Sequence, residues 1–205
     1  KLNQIKAVIA EAFELLPAKM HGDDAVVMLL AIGLQESRFT ARRQVGGPAR
    51  GFWQFELGGG VKGVLNHKST RYYAQEVCAA RGVAYNPKAV NETAIAVYRA
   101  LEHDDVLAAC FARLLLWTNA NPMPRIGEVE RSWQYYLATW RPGKPHAHTW
   151  PGLYAQALFR CEDCVEPRDV CGDVYTAFVE AECWHGFWVV GGREDFTAIS
   201  SEGSC

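Results

Sequence analysis

The stretch LQESRFTARRQVGGPARGFWQFE, residues 34–56, joins the end of an apolar segment to a loop rich in glycine and arginine. The apolar segment, AVVMLLAIGL (25–34), is followed almost at once by a carboxylate, Glu36. Its apolar residues lie on all sides of a helix, which predicts a central, buried helix that ends near Ser37. Burial and the negative end of the helix dipole both disfavour the charged form of an acid there. The stretch therefore predicts a carboxyl that stays protonated close to neutral pH.

The sequence on both sides of this stretch predicts a mainly α fold. Apolar residues recur at helical spacing before Pro17, and Asp23 or Asp24 can cap the central helix. The same spacing predicts further helices at about residues 70–81, 88–101, 105–118, 126–139 and 150–159. Residues 40–63 hold seven glycines and one proline, which favours a loop with a small β-like flap over a helix.

Charge and cysteine content change together near residue 160. Residues 161–205 hold ten acidic residues, two arginines and five of the seven cysteines, whereas residues 1–160 hold 19 basic and 13 acidic residues. We interpret residues 1–160 as one mildly basic domain and residues 161–205 as a short acidic, cysteine-rich tail of unknown fold and function. The spacing in the tail favours disulfides or free thiols over a zinc site. Cys78 and Cys110 lie in helical patterns and are interpreted as packing residues.

A protonated carboxyl at Glu36 suits one kind of chemistry in particular. A general acid that cleaves a glycosidic bond must hold its proton near neutral pH until the leaving oxygen takes it. The alternative interpretation is a solvated helix end, with Ser37 and Arg38 satisfying the carboxylate, because perturbed acids also occur in structural roles.

The spacing around Glu36 resembles that of the lysozyme-like superfamily, and most closely that of soluble lytic transglycosylases. Their pattern has Glu-Ser, a polar loop and then Gly-Ala-x-Gly-Leu-Met-Gln; this chain has Glu36-Ser37 and then PARGFWQ (48–54), with Gln54 eighteen residues after the acid as in that pattern. GPARGFWQFE and WRPGKP also resemble phage and prophage lysozyme-like proteins. The resemblance implies a lysozyme-like fold, Glu36 as the catalytic acid and Gln54 beside it in the saccharide cleft. It also makes Ser37 a candidate substrate contact.

Two departures from the family pattern concern the binding of substrate. The pattern has a serine nine residues after the acid, where this chain has Val45, so the polar contact to the sugar N-acetyl group is either missing or supplied by Gln44. The family's Ala-Tyr-Asn motif is absent, and its nearest analogue is SWQYYLATW (132–140). Tyr135 and Tyr136 are the candidates there, and at most one of two neighbouring residues can share a given helix face.

Aromatic and basic residues of the loop supply further candidates. Phe52, Trp53 and Phe55 alternate with Gln54 as in a short strand. One face of that strand can cover the core while the other offers an aromatic surface to sugar rings. In SWQYYLATW (132–140), helical spacing relates four apolar residues, so most of that helix is expected in the core: Trp133, Tyr136, Leu137 and Trp140. Four arginines are expected either to attract an anionic wall polymer or to form a solvated face: Arg38, Arg42, Arg43 and Arg50.

These features predict an enzyme that cleaves the β-1,4 bonds between N-acetylmuramic acid and N-acetylglucosamine in peptidoglycan, with Glu36 as single acid and base. Three alternatives stay open: a hydrolytic muramidase with Glu56 or Glu76 as second carboxylate, a chitinase-like enzyme, and an inactive wall-binding module on the same fold. A cleft that holds Glu36 and Gln54 with room for a sugar would favour an enzyme over the binding module.

The predicted partner is the glycan strand of peptidoglycan, in a phage virion or a host-lysis setting, with action in the bacterial periplasm or cell wall. No cofactor, metal or nucleic acid is predicted. No apolar run approaches the roughly 20 residues that span a bilayer, so no membrane span is predicted either. Oligomeric state is left open.

Overall fold

Eight α-helices and no β-strand make up residues 1–160, the residues that the computed structural model describes. The helices are α1 (Leu2–Glu14), α2 (Asp23–Ser37), α3 (Lys62–Asn66), α4 (Arg71–Ala80), α5 (Val90–Ala100), α6 (Asp105–Trp117), α7 (Val129–Trp140) and α8 (Trp150–Phe159). Two short 3-10 helices, Ala18–Met20 and Ala147–Thr149, and one π-helical turn, Leu57–Val61, lie between them. The predicted mainly α fold is confirmed, while the predicted tail, 161–205, lies outside the described residues.

Helix α2 occupies the centre of the fold, as its apolar sequence predicts. It packs against α8, α1 and α6, and its residues from Val27 to Leu34 are all buried. The helix ends at Ser37, where Arg38 adopts a left-handed conformation at the C-cap (φ 53°). Glu36 therefore sits in the last turn of a buried helix, which is the position that the sequence predicts for it.

The predicted N-cap of α2 is wrong. Gly22 occupies the N-cap position, so both aspartates fall inside the first turn and neither side chain caps the helix. Asp24 instead accepts a hydrogen bond from the backbone nitrogen of Ile126 (2.7 Å), which fastens the connection between α6 and α7 to the start of α2. Both carboxylates still complement the positive end of the helix dipole.

The loop between α2 and α3 is held by ion pairs to the junction of α5 and α6. Arg42 donates to Asp105 through Nε (2.9 Å) and Nη2, and Arg50 Nε lies 2.9 Å from a carboxylate oxygen of Glu102. These two arginines are candidates for a wall-binding face in the sequence, but in the structure each pairs with a carboxylate of the protein itself. Arg50 is also largely covered, so its pair fixes the loop more firmly than an exposed pair would.

The predicted β-like flap is a pair of isolated bridges and a tight turn. Antiparallel bridges join Arg43 to Arg50 and Arg50 to Phe55, without a continuous strand. Gly51 (φ 72°) and Gln54 (φ 49°) are both left-handed, and a Cβ on Gly51 would lie 2.6 Å from the carbonyl oxygen of Leu101. Strand alternation is impossible with such backbone angles, which is why the aromatic residues do not divide between two faces.

Candidate active site

An open cleft of about 1170 Å³ lies where the end of α2 meets the loop that follows it. Five parts of the chain line it: the last turn of α2, the loop 44–56, the π-helical turn with α3, the end of α6, and the end of α7 with the residues after it. Among the lining residues are four that the sequence predicts as site residues: Glu36, Gln44, Gln54 and Glu56. The cleft thus combines carboxylates and amides that are far apart in the sequence.

Glu36 is the group with the most perturbed acidity in this cleft. Its pKa is raised from 4.5 to about 7: burial raises it most, the hydrogen bond from Tyr136 lowers it, and the nearby charge of Glu56 raises it. The hydroxyl of Tyr136 donates to Oε1 of Glu36 at 2.7 Å. At neutral pH, protonated and ionised Glu36 therefore coexist, which suits a group that first gives and then takes a proton.

The structure brings Tyr136, and not Tyr135, to Glu36. The ring of Tyr136 packs against those of Trp150 (centroids 5.2 Å apart) and Trp140 (6.3 Å). Burial and the neighbouring Glu36 raise the pKa of Tyr136 well above its usual value, so its hydroxyl stays protonated and donates. Tyr135 lies on the other face of α7, where its hydroxyl donates to the carbonyl of Leu116 at 2.9 Å.

Replacing Tyr136 with phenylalanine is expected to raise the pKa of Glu36 above about 7, because the lost hydrogen bond stabilises the ionised carboxylate. Side-chain carboxyl NMR titration measures this directly. Tyr135→Phe is the matched control, since it removes a buried hydroxyl one residue away that does not contact Glu36. An unchanged or lower pKa of Glu36 in Tyr136→Phe would contradict the assigned role of the hydroxyl.

The two predicted amides lie in the cleft, and each is also used to shape the loop. Gln54 Nε2 donates to the carbonyls of Gly51 (2.8 Å) and Ala41 (3.3 Å). Gln44 Oε1 accepts from the backbone nitrogen of Ala49 at 3.2 Å. Val45 is 98% exposed at the loop tip. Of these neighbours, Gln44 and not Val45 lines the cleft.

Three predicted substrate contacts prove to be packing contacts outside the cleft. Trp53 is 0% exposed, and its indole nitrogen donates to the carbonyl of Leu29 at 2.9 Å. Phe52 is buried edge-on against Phe39. The Ser37 hydroxyl is buried and donates to the carbonyl of Phe52 at 2.7 Å. The turn at residues 51–54 directs these aromatic rings into the core, so this segment holds the loop against α2.

The sequence interpretation misses two parts of the site. Trp140, expected in the core, is only half-buried: it lines the cleft, and its indole nitrogen donates to the carbonyl of Trp53 at 3.0 Å. Its position four residues after Tyr136 places it on the same face of α7, and that spacing is the signal that points to it. The residues after α7 also line the cleft, including Arg141, Lys144 and His146. A loop of this kind shows no periodicity by which to place it.

The buried thiols of Cys78 and Cys110 lie away from the cleft, and burial raises the pKa of each to about 12. They are inert packing groups at neutral pH. Within residues 1–160, no group of three or more His, Cys, Asp or Glu side chains is arranged to hold a metal ion. The helices of the same part of the chain are too short or too polar to cross a membrane.

No protein-family model, curated protein or solved structure matches this chain.

Proposed function

We propose that the protein cleaves the glycan strands of peptidoglycan, with Glu36 as acid and base. The observation that carries the proposal is a carboxyl with a pKa of about 7, hydrogen-bonded by Tyr136 and placed in an open cleft of about 1170 Å³. Gln54 lines the same cleft, and its volume is ample for a sugar ring. Both features favour an enzyme over a binding module with a collapsed cleft.

The proposed reaction needs one acid that works twice. Protonated Glu36 gives its proton to the glycosidic oxygen as the bond from that oxygen to the anomeric carbon breaks. Tyr136 donates to the other carboxyl oxygen and stabilises the carboxylate that results. Glu36 then takes a proton from the sugar's own hydroxyl as this oxygen attacks the anomeric carbon, which gives an anhydro-sugar end. The carboxyl is thereby returned to its protonated form.

A second route, hydrolysis with two carboxylates, is favoured by one observation. Glu56 lines the same cleft, and its charge is close enough to raise the pKa of Glu36. A second carboxylate near the acid is what hydrolytic glycosidases use to activate water or to attack the sugar. Glu76, the other acid considered for this role, lies exposed on α4 and outside the cleft.

Mass spectrometry of the fragments that the protein releases from purified peptidoglycan tests the proposal. Anhydro-muropeptides support the single-acid route, and fragments with reducing ends support the route with Glu56. Binding to the wall without release of any fragment would overturn the proposed activity and leave the binding module as the better interpretation.

The glycine-rich π-helical turn provides a steric test of where the glycan lies. Gly58 and Gly59 are neighbours in this turn, and an added Cβ on either meets no atom within 4 Å, but only Gly59 lines the cleft. Gly59→Leu is therefore expected to weaken glycan binding about tenfold by occupying the cleft, while Gly58→Leu leaves it unchanged. Affinity for soluble glycan fragments measures the effect. Equal behaviour of the two variants would place the glycan elsewhere.

A further inference from the structure

The fixed positive charges of the cleft all come from one short part of the chain. Residues 141–146, RPGKPH, follow α7 directly; we refer to them as the cationic segment. Arg141, Lys144 and His146 line the cleft, whereas its two acids, Glu36 and Glu56, come from other parts of the chain. One wall of the cleft is therefore basic, and the reacting carboxyl belongs to another.

The charges of this segment are not used inside the described part of the protein. Among residues 1–160, the ion pairs of arginine and lysine involve neither Arg141 nor Lys144. Both side chains are exposed, and Arg141 makes only a long hydrogen bond to the carbonyl of Ala138 (3.4 Å). Two cations that line a cleft without a carboxylate partner among residues 1–160 can pair with a carboxylate on a ligand.

The backbone of the cationic segment is fixed close to the acid. Two prolines restrict it, and Arg141 adopts a left-handed conformation (φ 50°) where α7 ends. At its far end, the carbonyl of His146 accepts from Gln35 Nε2 (3.4 Å), and Thr149 Oγ1 donates to Gln35 Oε1 (3.0 Å). Gln35 directly precedes Glu36, so the basic wall and the acid are positioned by adjoining residues.

We infer that the cationic segment binds carboxylates carried by the substrate, so that the protein acts on an anionic glycan and not on a neutral one. This inference rests on the proposed function and deepens it. In peptidoglycan, every second sugar carries a lactyl group whose carboxyl is joined by an amide bond to a peptide, and these peptides end in free carboxylates. Chitin carries no carboxylate, so a basic wall gives no advantage there. Charge complementarity at a cleft wall acts mainly on encounter and on selection between substrates.

The test pairs a change in the protein with a change in the substrate. The double variant Arg141→Asn with Lys144→Gln removes both charges, and asparagine tolerates the left-handed backbone of position 141. Lys88→Gln is the control, because it removes an exposed charge outside the cleft. The substrates are intact peptidoglycan, the same material with its carboxylates converted to methylamides, and strands stripped of peptides by an amidase. Co-sedimentation with the polymer and fragment release are both measured.

On intact peptidoglycan, we expect the double variant to bind and cleave about fivefold less well than the wild type or Lys88→Gln. On the methylamide material, the three proteins should be equal, because the carboxylates that the two cations meet are gone. On stripped strands, the amidase has removed the peptide carboxylates and freed the lactyl carboxylates. A lost difference there assigns the peptide carboxylates, and a retained difference shows that the segment also accepts the lactyl carboxylate. Equal losses on charged and neutral material, or no loss on either, would overturn the inference.

Failure of the proposed function has a separate signature. If the wild type releases no fragment from any material, glycan cleavage is wrong, yet co-sedimentation still compares charged with neutral polymer and variant with wild type. The inference stands or falls on that comparison alone.

Discussion

Glu36→Gln is expected to lower the rate of glycan cleavage by about a thousandfold, which is within the usual contribution of a positioned acid and base. Glutamine has nearly the size of glutamate and can still accept the hydrogen bond of Tyr136, which in the wild type joins its hydroxyl to Oε1. It has no proton of suitable acidity to give to the leaving oxygen. The loss should therefore appear in turnover, with binding of the glycan retained.

Fragment release from purified peptidoglycan, followed over time by mass spectrometry, measures this loss. Glu76→Gln is the matched control, because it makes the same chemical change at an exposed acid outside the cleft. A Glu36→Gln protein that is folded and cleaves at the wild-type rate would show that Glu36 is not the acid. In that case Glu56 would be the remaining carboxylate of the cleft.

The same carboxyl is expected to make the folded protein less stable as the pH rises. The pKa of Glu36 is about 7 in the folded protein and near 4.5 when the group is exposed, so the unfolded chain releases this proton first. The contribution of Glu36 to the free energy of unfolding is present in full below pH 4.5. It is lost progressively as the pH rises toward 7 and is fully lost above that pH. The difference between the two pKa values corresponds to a loss of up to about 3 kcal/mol.

Urea unfolding of the wild type and of Glu36→Gln at pH 4.5 and pH 8.5 isolates this contribution. Other titrating groups affect both proteins alike, so the difference in unfolding free energy between the two proteins reports Glu36. From pH 4.5 to pH 8.5, we expect the unfolding free energy of the variant to rise relative to that of the wild type by up to about 3 kcal/mol. Glu76→Gln should show no such gain. A difference that does not change with pH would contradict burial as the source of the raised pKa.

The sequence suffices to predict α2 and the position of its acid. A run of apolar residues without polar interruption has only one low-energy placement, in the core, and Glu36 follows that run within one turn. The other long helices follow from the same periodicity, which reports burial on one face. These are local properties of the chain, so they are readable before the fold is known.

The conformation of the loop after α2 cannot be predicted from local sequence, because contacts with distant residues determine it. Gly51 is forced by the carbonyl of Leu101, fifty residues away, and Gln54 takes a left-handed backbone that its type rarely adopts. A strand was the natural expectation for alternating aromatic residues, and the turn sends Phe52 and Trp53 inward instead. The tertiary contact overrides the local pattern here.

The choice between Tyr135 and Tyr136 was likewise open in the sequence and is decided by the rotation of α7 against α2. Neighbouring residues on a helix point about 100° apart, so only the packing of the whole helix tells which one meets Glu36. The position of the cationic segment cannot be predicted from the sequence for a related reason, because it depends on hydrogen bonds to Gln35.

The aromatic rings around Tyr136 have a consequence for the barrier of the proposed reaction. Trp150 and Trp140 pack against its ring and restrict its rotation, so in the proposed reaction the side chain is already in place when charge develops on Glu36. In water, dipoles must reorient around a new charge, and that reorganisation adds to the activation free energy. In this protein, the orientation of the Tyr136 hydroxyl is settled when the chain folds, before any substrate arrives.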